Sequence, residues 1–99
     1  MKKVIKPVQI FFIHSDNCKK CDKAIGVIKS AIKKSVIECE ILKFKFDTPV
    51  ALGIATNHGI DDLPGFVVGN GYGVFVGENY TEEEVVIAIK RASKKIRLK

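Results

Sequence analysis

The sequence predicts a single α/β domain, residues 1–99, with the element order β-α-β-α-β-β-α and helices on both faces of a four-stranded mixed sheet. Three observations support this prediction. Residues 8–13 form a nearly all-apolar run typical of a buried strand, helical-period segments follow the strand-like runs, and a glycine-centred hairpin precedes the last helix. A strand–helix–strand start implies a parallel crossover, and the hairpin adds antiparallel strands. We therefore expect the sheet order 2-1-3-4.

The first half of the chain contains a strand, a helix and a second strand. After the strand at 8–13, the turn "HSDN" offers Asp16 or Asn17 as the helix cap. Residues 37–46 alternate as a second strand, but their apolar register changes face near 41–42, where we expect a bulge. The apolar positions of the intervening helix share one broad face; they are Ala24, Ile25, Val27, Ile28, Ala31 and Ile32.

A short second helix follows the second strand. Asp47 is expected to cap it, with Pro49 in its first turn and Gly59 in the left-handed conformation at its end. Asp61 and Asp62 are interpreted as solvated turn residues that could shape substrate choice.

The last third of the chain is predicted to be a hairpin and a helix. Residues 66–76 contain two β-rich runs on either side of Asn70-Gly71. Thr81 and Glu84 have the spacing of a capping box, which predicts the start of the final helix.

Composition excludes several classes of protein. The chain is 46% hydrophobic and 28% charged, which indicates a globular and not a disordered protein. Its net charge is +6, but the lysines are spread over helix faces and both termini, so we expect no nucleic-acid partner. The longest apolar run, residues 10–13, is far shorter than the ~20 residues of a membrane span, so no membrane partner is expected.

The N-terminal residues and the cysteine count suggest a cytoplasmic protein, and we expect a monomer. Residues 1–15 superficially resemble a signal peptide, but Lys6 and Pro7 interrupt the apolar region and no small-residue cleavage site follows. Three cysteines are too few, and odd in number, for a secreted domain held together by disulfides.

Two of the cysteines, Cys18 and Cys21, form a C-x-x-C motif between the first strand and the first helix. Cys18 is expected in the first helical turn, where unpaired N–H groups and the helix dipole stabilise a thiolate. Lys19 and Lys20 add positive charge, and Asn17 is a candidate cap. Cys21 lies one turn further along the helix and is expected to be more shielded.

This element order around C-x-x-C resembles the thioredoxin/glutaredoxin superfamily in its short, glutaredoxin-sized form. The run "ATNHGIDDLPGFVVGNG" is similar to the family segment in which a helix ends in glycine and a proline opens the next strand. The resemblance covers about residues 8–95. It implies that Pro64 follows a cis peptide bond and faces the cysteine pair. It also implies that Leu63 offers its backbone N–H and C=O to an extended substrate.

The chain departs from the named subfamilies at several positions. Asn17 stands where the family carries an aromatic residue, and Phe12 falls near the buried acid of thioredoxins proper. The segment "VGENYTEEE" replaces the two glycines and aspartate of glutaredoxins, so glutathione binding is not expected. The resemblance is therefore to the superfamily as a whole.

The resemblance implies a thiol–disulfide oxidoreductase that exchanges disulfides with protein substrates. Cys18 would attack and Cys21 would resolve, without a bound cofactor, and a reductase or small thiol would supply electrons. His14, four residues before Cys18, is a candidate for proton transfer, and the alternative is an ordinary solvent-facing histidine.

Three other functions remain open from the sequence. The thiolates could hold a metal, but a zinc site would need further ligands from His14, Cys39 or His58, and Cys39 is also interpreted as a small buried hydrophobe. A C-x-x-C metal carrier would have the order βαββαβ and end on a strand. The third possibility is a binding module of the same fold without catalysis.

Overall fold

The structure, a computed structural model, describes residues 7–78 and 80–97. Residues 1–6, part of the stretch compared with a signal peptide, lie outside the described residues. The predicted element order is confirmed. The elements are β1 Val8–His14, α1 Lys19–Ser35, β2 Cys39–Lys45, α2 Pro49–His58, β3 Gly65–Val68, β4 Gly73–Val76 and α3 Glu82–Arg97.

The four strands form one mixed sheet in the order β2-β1-β3-β4, as predicted. Strand β1 pairs parallel with β2 and antiparallel with β3, and β3 pairs antiparallel with β4. The carboxyl ends of β1, β2 and β4 and the start of β3 therefore lie at one end of the sheet. We call this the thiol end, because the loop that follows His14 leads to Cys18.

Strand β2 pairs with β1 in an uninterrupted register from Val8↔Cys39 to His14↔Lys45, so the predicted bulge near 41–42 is wrong. Both faces of β2 have apolar neighbours, which explains the double pattern in its sequence. On one face Cys39 and Ile41 pack against the main core. On the other, Phe44 stacks on Phe11 with ring centroids 6.3 Å apart.

The main core lies between the sheet and the pair of helices α1 and α3. It consists of buried side chains of β1, β3 and the two helices; they are Val8, Ile10, Phe12, Cys21, Ala24, Ile28, Ala31, Phe66, Val68, Val85, Ala88, Ile89 and Ala92. Fully burying one of the larger of these side chains stabilises the fold by about 1.5–3 kcal/mol. Helix α2 covers the other face. Within the described residues, no helix is both long enough and apolar enough to cross a bilayer.

The caps of α2 and α3 locate their starts. Helix α2 is capped by Thr48, whose hydroxyl accepts the Ala51 N–H at 3.3 Å, so the prediction that Asp47 caps it is wrong. Thr48 has an extended backbone and directly precedes Pro49, so the helix cap lies one residue after the predicted cap, Asp47. Gly59 ends α2 with φ 68°, as predicted.

The capping box of α3 is confirmed in both directions. The Thr81 N–H donates to Glu84 Oε1 at 2.8 Å, and the Glu84 N–H donates to Thr81 Oγ1 at 3.2 Å. The same carboxylate also accepts from the Thr81 hydroxyl at 3.3 Å. These bonds satisfy amide donors that the first turn of a helix otherwise leaves unpaired.

Candidate functional site

The two cysteines of C-x-x-C meet at the N-terminus of α1, at the thiol end of the sheet. Cys18 and Cys21 are joined by a disulfide, with their Cα atoms 5.2 Å apart. The Cys21 N–H donates to Cys18 Sγ at 3.1 Å. Cys18 is half-buried, whereas Cys21 is only 4% exposed. Cys18 is therefore the more exposed residue of the pair.

The cap of α1 is Cys18 itself, so the prediction that Asp16 or Asn17 caps the helix is wrong. Asn17 lies outside the helix with φ 53°, in the left-handed region that asparagine tolerates better than most residues. This turn sets Cys18 in the extended cap conformation and places its sulfur at the unpaired N–H groups of the first turn. Cys18 thus takes the position of an oxygen-bearing cap residue.

Two lysines directly follow Cys18 in the chain. Lys19 and Lys20 open the helix and are exposed. Asp16, which could offset this charge, instead pairs with Lys45 at 2.9 Å. That hydrogen bond and the Asp16 charge raise the pKa of Lys45 above its usual value. Asp22, in the first turn of α1, is a second acidic residue beside these lysines and partly offsets their charge.

The sheet beneath the cysteines is aromatic. Phe12 is buried, and His14 at the end of β1 stacks on it with ring centroids 6.0 Å apart. Phe66 packs against Phe12 at 6.2 Å and against Tyr80 at 5.2 Å. Among the described residues, Ser35 is the one buried polar side chain, so no carboxylate lies in the described core near Cys21.

The Leu63–Pro64 turn also lies at the thiol end. The peptide bond between these residues is cis, as predicted. Gly65, the next residue, pairs with Ile13 one position before the end of β1. Pro64 is buried, and its carbonyl accepts the Gly77 N–H at 2.7 Å. The fold therefore brings this turn and the cysteine loop to the same end of the sheet.

The sequence reasoning missed a partner of the Leu63 amide. The Leu63 N–H, which the resemblance assigns to substrate, donates to Asp62 Oδ1 at 2.8 Å. Asp62 is exposed, as expected of a solvated turn residue, but one of its oxygens is bonded to the Leu63 backbone and not only to solvent. An aspartate that bonds to a nearby backbone N–H is common in turns, and this preference was the available signal.

Two of the metal-ligand candidates, Cys39 and His58, lie far from the cysteine pair. Cys39 pairs with Val8 at the far end of β1, about 20 Å from the thiol end at ~3.3 Å per residue. His58 lies near Gly71 in the hairpin loop, which is also at that far end. Within the described ranges, no three His, Cys, Asp or Glu side chains form a group that could hold a metal ion.

Cys39 is half-buried, which agrees in part with its interpretation as a small buried residue. Its thiol donates to the Ile37 carbonyl at 3.4 Å. Burial, with a smaller effect of the Glu38 charge, raises the pKa of the Cys39 thiol to about 11. Cys39 is therefore a neutral thiol at ordinary pH, unlike the sulfur expected at a helix N-terminus.

Comparison with known proteins gives matches in structure only. No protein-family model matches the chain, and no curated protein matches its sequence. The reduced thioredoxin preprotein of Schistosoma mansoni superposes with a TM-score of 0.60 at 20% identity, over 88% of this chain and 80% of that one. Thioredoxin-2 of the malaria parasite, a component of its protein secretion machinery, gives 0.56 at 15% identity over 86% and 82%.

A thioredoxin from Thermus thermophilus is similar over a larger part of this chain. It superposes with a TM-score of 0.53 at 15% identity, over 93% of this chain and 72% of its own length. These likenesses agree with the element order and the sheet order described above. The chain has the thioredoxin fold.

Proposed function

We propose that the protein is a thiol–disulfide oxidoreductase that exchanges disulfides with protein substrates through Cys18 and Cys21. The observation that carries the proposal is the position of Cys18 as the cap of α1, where its sulfur accepts the Cys21 N–H at 3.1 Å. The same N–H group and the helix dipole stabilise a thiolate at this position in the reduced protein. Cys18 is also the more exposed of the two cysteines, and is therefore the nucleophile in this proposal.

The reaction needs two exchange steps. In the first, the Cys18 thiolate attacks one sulfur of a substrate disulfide; a Cys18–substrate bond forms and the other substrate sulfur leaves as a thiolate. In the second, Cys21 loses its proton and attacks Cys18 Sγ, which releases the second substrate thiolate. The substrate is reduced by two electrons and the cysteine pair is oxidised. A reductase or a small thiol would return the pair to the dithiol.

The residues around Cys18 favour the first step. Lys19 and Lys20 place positive charge beside the thiolate. Asn17 acts through the left-handed turn that sets Cys18 at the cap, and not as the cap itself. His14, at the end of β1, is the proposed group for proton transfer, since the described core offers no buried carboxylate for this step.

Leu63 and Pro64 are the proposed docking residues for the substrate backbone. They lie at the thiol end, where an extended segment can run beside the turn and pair with the Leu63 backbone. Such pairing would hold a disulfide sulfur in line with Cys18. We also propose that the protein is a monomer in the cytoplasm. It would act on protein partners without a bound cofactor.

The test uses single cysteine-to-serine variants incubated with an activated disulfide at neutral pH. Cys21→Ser should form a covalent adduct that dithiothreitol releases, because the attacking thiolate remains and the resolving thiol is gone. Cys18→Ser should form little adduct, and Cys39→Ser should behave like the parent. Intact-protein mass spectrometry measures each adduct. Equal labelling of the Cys18→Ser and Cys21→Ser variants would contradict the proposal.

A turnover assay separates catalysis from binding. Reduction of insulin by dithiothreitol should be accelerated by the parent protein and not by the Cys18→Ser variant. Metal analysis of the purified protein provides a parallel check, because a metal carrier would contain a metal bound by both cysteines. Absence of any acceleration would favour the non-catalytic binding module.

A further inference from the structure

A groove lies next to the Leu63–Pro64 turn, on the sheet face that α2 covers. It has a volume of about 340 Å³, and its apolar lining includes Ile13, Phe46, Ala51, Leu52, Ala55 and Ile60. Two of these side chains are unusually open for their type: Leu52 is 58% exposed and Phe46 is 45% exposed. Leu63 also lines the groove, so a segment docked there lies beside the Leu63–Pro64 turn.

One rim of the groove is acidic. Asp61 and Asp62 line it side by side, and both are exposed. Within the part of the chain that the structure describes, the ion pairs join Lys23 to Glu78, Lys34 to Glu82 and Lys45 to Asp16, and none involves these two aspartates. In a chain of net charge +6, this is a local patch of the opposite sign. An apolar lining beside an acidic rim is complementary to an apolar side chain beside a cationic one.

Asp62 also contacts the Leu63 backbone, which is proposed to bind the substrate. Its Oδ1 accepts the Leu63 N–H at 2.8 Å, which is the donor that a substrate backbone would need. A lysine or arginine that bonds to Oδ1 competes with the Leu63 N–H for this acceptor and so favours release of the donor. A substrate without that cation would have to compete with Asp62 for the same N–H.

We propose that this groove, with Asp61 and Asp62, selects substrate proteins in which a large apolar residue and a lysine or arginine flank the reactive cysteine. The occupant is an extended segment of such a substrate. The apolar side chain lies on the apolar lining near Phe46 and Leu52, and the cation lies at the rim. This inference rests on the proposed function, because it concerns the substrate that Cys18 attacks.

The experiment measures single-step attack on short peptides, with the Cys21→Ser protein as the background. Each peptide carries one cysteine as a mixed disulfide with thionitrobenzoate. Attack by Cys18 forms a Cys18–peptide bond and releases the thionitrobenzoate thiolate, whose colour gives the rate. The peptides carry Leu-Lys, Leu-Gln or Leu-Glu on one or the other side of the cysteine and are otherwise identical.

The lysine peptide should react about fivefold faster than the glutamine peptide in at least one orientation, the ratio that an interaction of about 1 kcal/mol with a partly exposed charge gives. The glutamate peptide should be the slowest. Rising ionic strength should reduce the preference, because the charges are near the surface. Comparison of ratios between proteins removes the differences in intrinsic peptide reactivity.

Three variants separate the charge from the hydrogen bond. Asp61→Asn/Asp62→Asn removes both charges but keeps an oxygen that can accept the Leu63 N–H, so the lysine preference should fall to about one. A pair of single variants tests the hydrogen bond: Asp62→Asn keeps the acceptor and Asp62→Ala removes it, so the glutamine peptide should react about threefold faster with Asp62→Ala than with Asp62→Asn. The matched control is Glu38→Gln, which removes one exposed acid at the far end of the sheet and should retain the full preference.

The outcomes distinguish this inference from the proposed function. If Cys18 attacks the peptides but shows no lysine preference, or keeps it without the two aspartates, the groove inference is wrong and the proposed function stands. If Asp62→Ala is no faster than Asp62→Asn, the competition for the Leu63 N–H is refuted. If no peptide reacts at Cys18, the proposed function itself fails.

Discussion

At the scale of single residues, the sulfur of Cys18 has two tasks: it is the proposed nucleophile and it caps α1. A serine in this position can still cap, since its hydroxyl accepts the same N–H, but an alanine cannot. The two tasks can therefore be measured separately, one by trapping and the other by stability.

We expect Cys18→Ala to be less stable than Cys18→Ser by about 1 kcal/mol, because only alanine leaves the Cys21 N–H without an acceptor. Urea unfolding of both variants under reducing conditions measures the difference. Both variants lack the nucleophile, so redox state does not enter the comparison. Equal midpoints would mean that the sulfur contributes nothing to the start of the helix.

The second residue-scale prediction concerns Cys39, whose burial raises its pKa from 9.0 to about 11. The folded state holds the thiol proton over a pH range in which the unfolded chain releases it. The stability that the neutral thiol confers is therefore present below about pH 9 and is lost as pH rises from there towards 11. Serine does not titrate in this range, so Cys39→Ser should lack this part of the pH dependence.

Alkylation provides a direct measurement of the same shift. In the Cys18→Ser/Cys21→Ser background at pH 9, Cys39 should react with iodoacetamide more than tenfold more slowly in the folded protein than in urea, roughly following the thiolate fraction. Similar rates in the two states would show that the fold leaves Cys39 accessible and unperturbed.

At the scale of elements, helix starts are sensitive to single residues. Thr48→Ala should lower the free energy of unfolding by about 1 kcal/mol, because it removes the acceptor of the Ala51 N–H. Asp47→Ala is the matched control, one residue outside the cap, and should change stability by less than about 0.5 kcal/mol. Urea midpoints decide between the two residues, and a larger loss for Asp47→Ala would overturn the cap assignment.

Glycines in different elements should respond oppositely to alanine. Gly26 lies on the exposed side of α1 with open space around the site of a Cβ, so Gly26→Ala should stabilise the protein by about 0.5–1 kcal/mol. Gly73 opens β4 where a Cβ would lie 2.6 Å from that of Ala88 in α3, so Gly73→Ala should destabilise it. Thermal unfolding of the pair measures both signs, and a stable Gly73→Ala would show that α3 can move away from the sheet.

The sequence predicts elements better than their ends. The order of strands and helices follows from periodicity, and the Thr81–Glu84 box follows from spacing, since both are local signals. The caps at Cys18 and Thr48 were missed because a single backbone rotation, such as that of Asn17, moves a helix start by one residue. The uninterrupted register of β2 was not predicted, because apolar residues on both faces of a strand resemble the pattern of a bulge. The pattern is explained once α2 is known to cover the second face of the sheet.

In the candidate site, too, some features could be predicted from the sequence and others could not. The cysteine pair and the cis bond before Pro64 are found from motif and resemblance. The contact between Asp62 and the Leu63 amide is a matter of side-chain geometry, and the groove near Phe46 depends on how α2 packs against the sheet. Neither of these features has a sequence pattern of its own.

At the scale of the whole molecule, the sheet order determines the arrangement of the site. Placing β1 between a parallel and an antiparallel neighbour brings four connections to the thiol end: the cysteine loop, the segment from β2 to α2, the Leu63–Pro64 turn and the segment after β4. The lysines of α1 then lie on one flank, and the acidic rim at Asp61 and Asp62 lies on the other. A substrate segment that spans the end of the sheet would therefore meet charges of opposite sign at its two ends.

The last prediction is that residues 1–99 unfold as one cooperative domain. The radius of gyration of 13.3 Å is close to the ~13 Å of a compact domain of this length, and β1 contributes to the core on both faces of the sheet. Far-ultraviolet circular dichroism reports the three helices. Tyrosine emission, from a chain without tryptophan, reports Tyr72 in the hairpin loop and Tyr80 before α3. Both signals should give one urea transition with the same midpoint and a slope of about 1 kcal/mol per molar urea. An earlier tyrosine transition would show that the hairpin unfolds separately, and the chain would then contain two units of different stability.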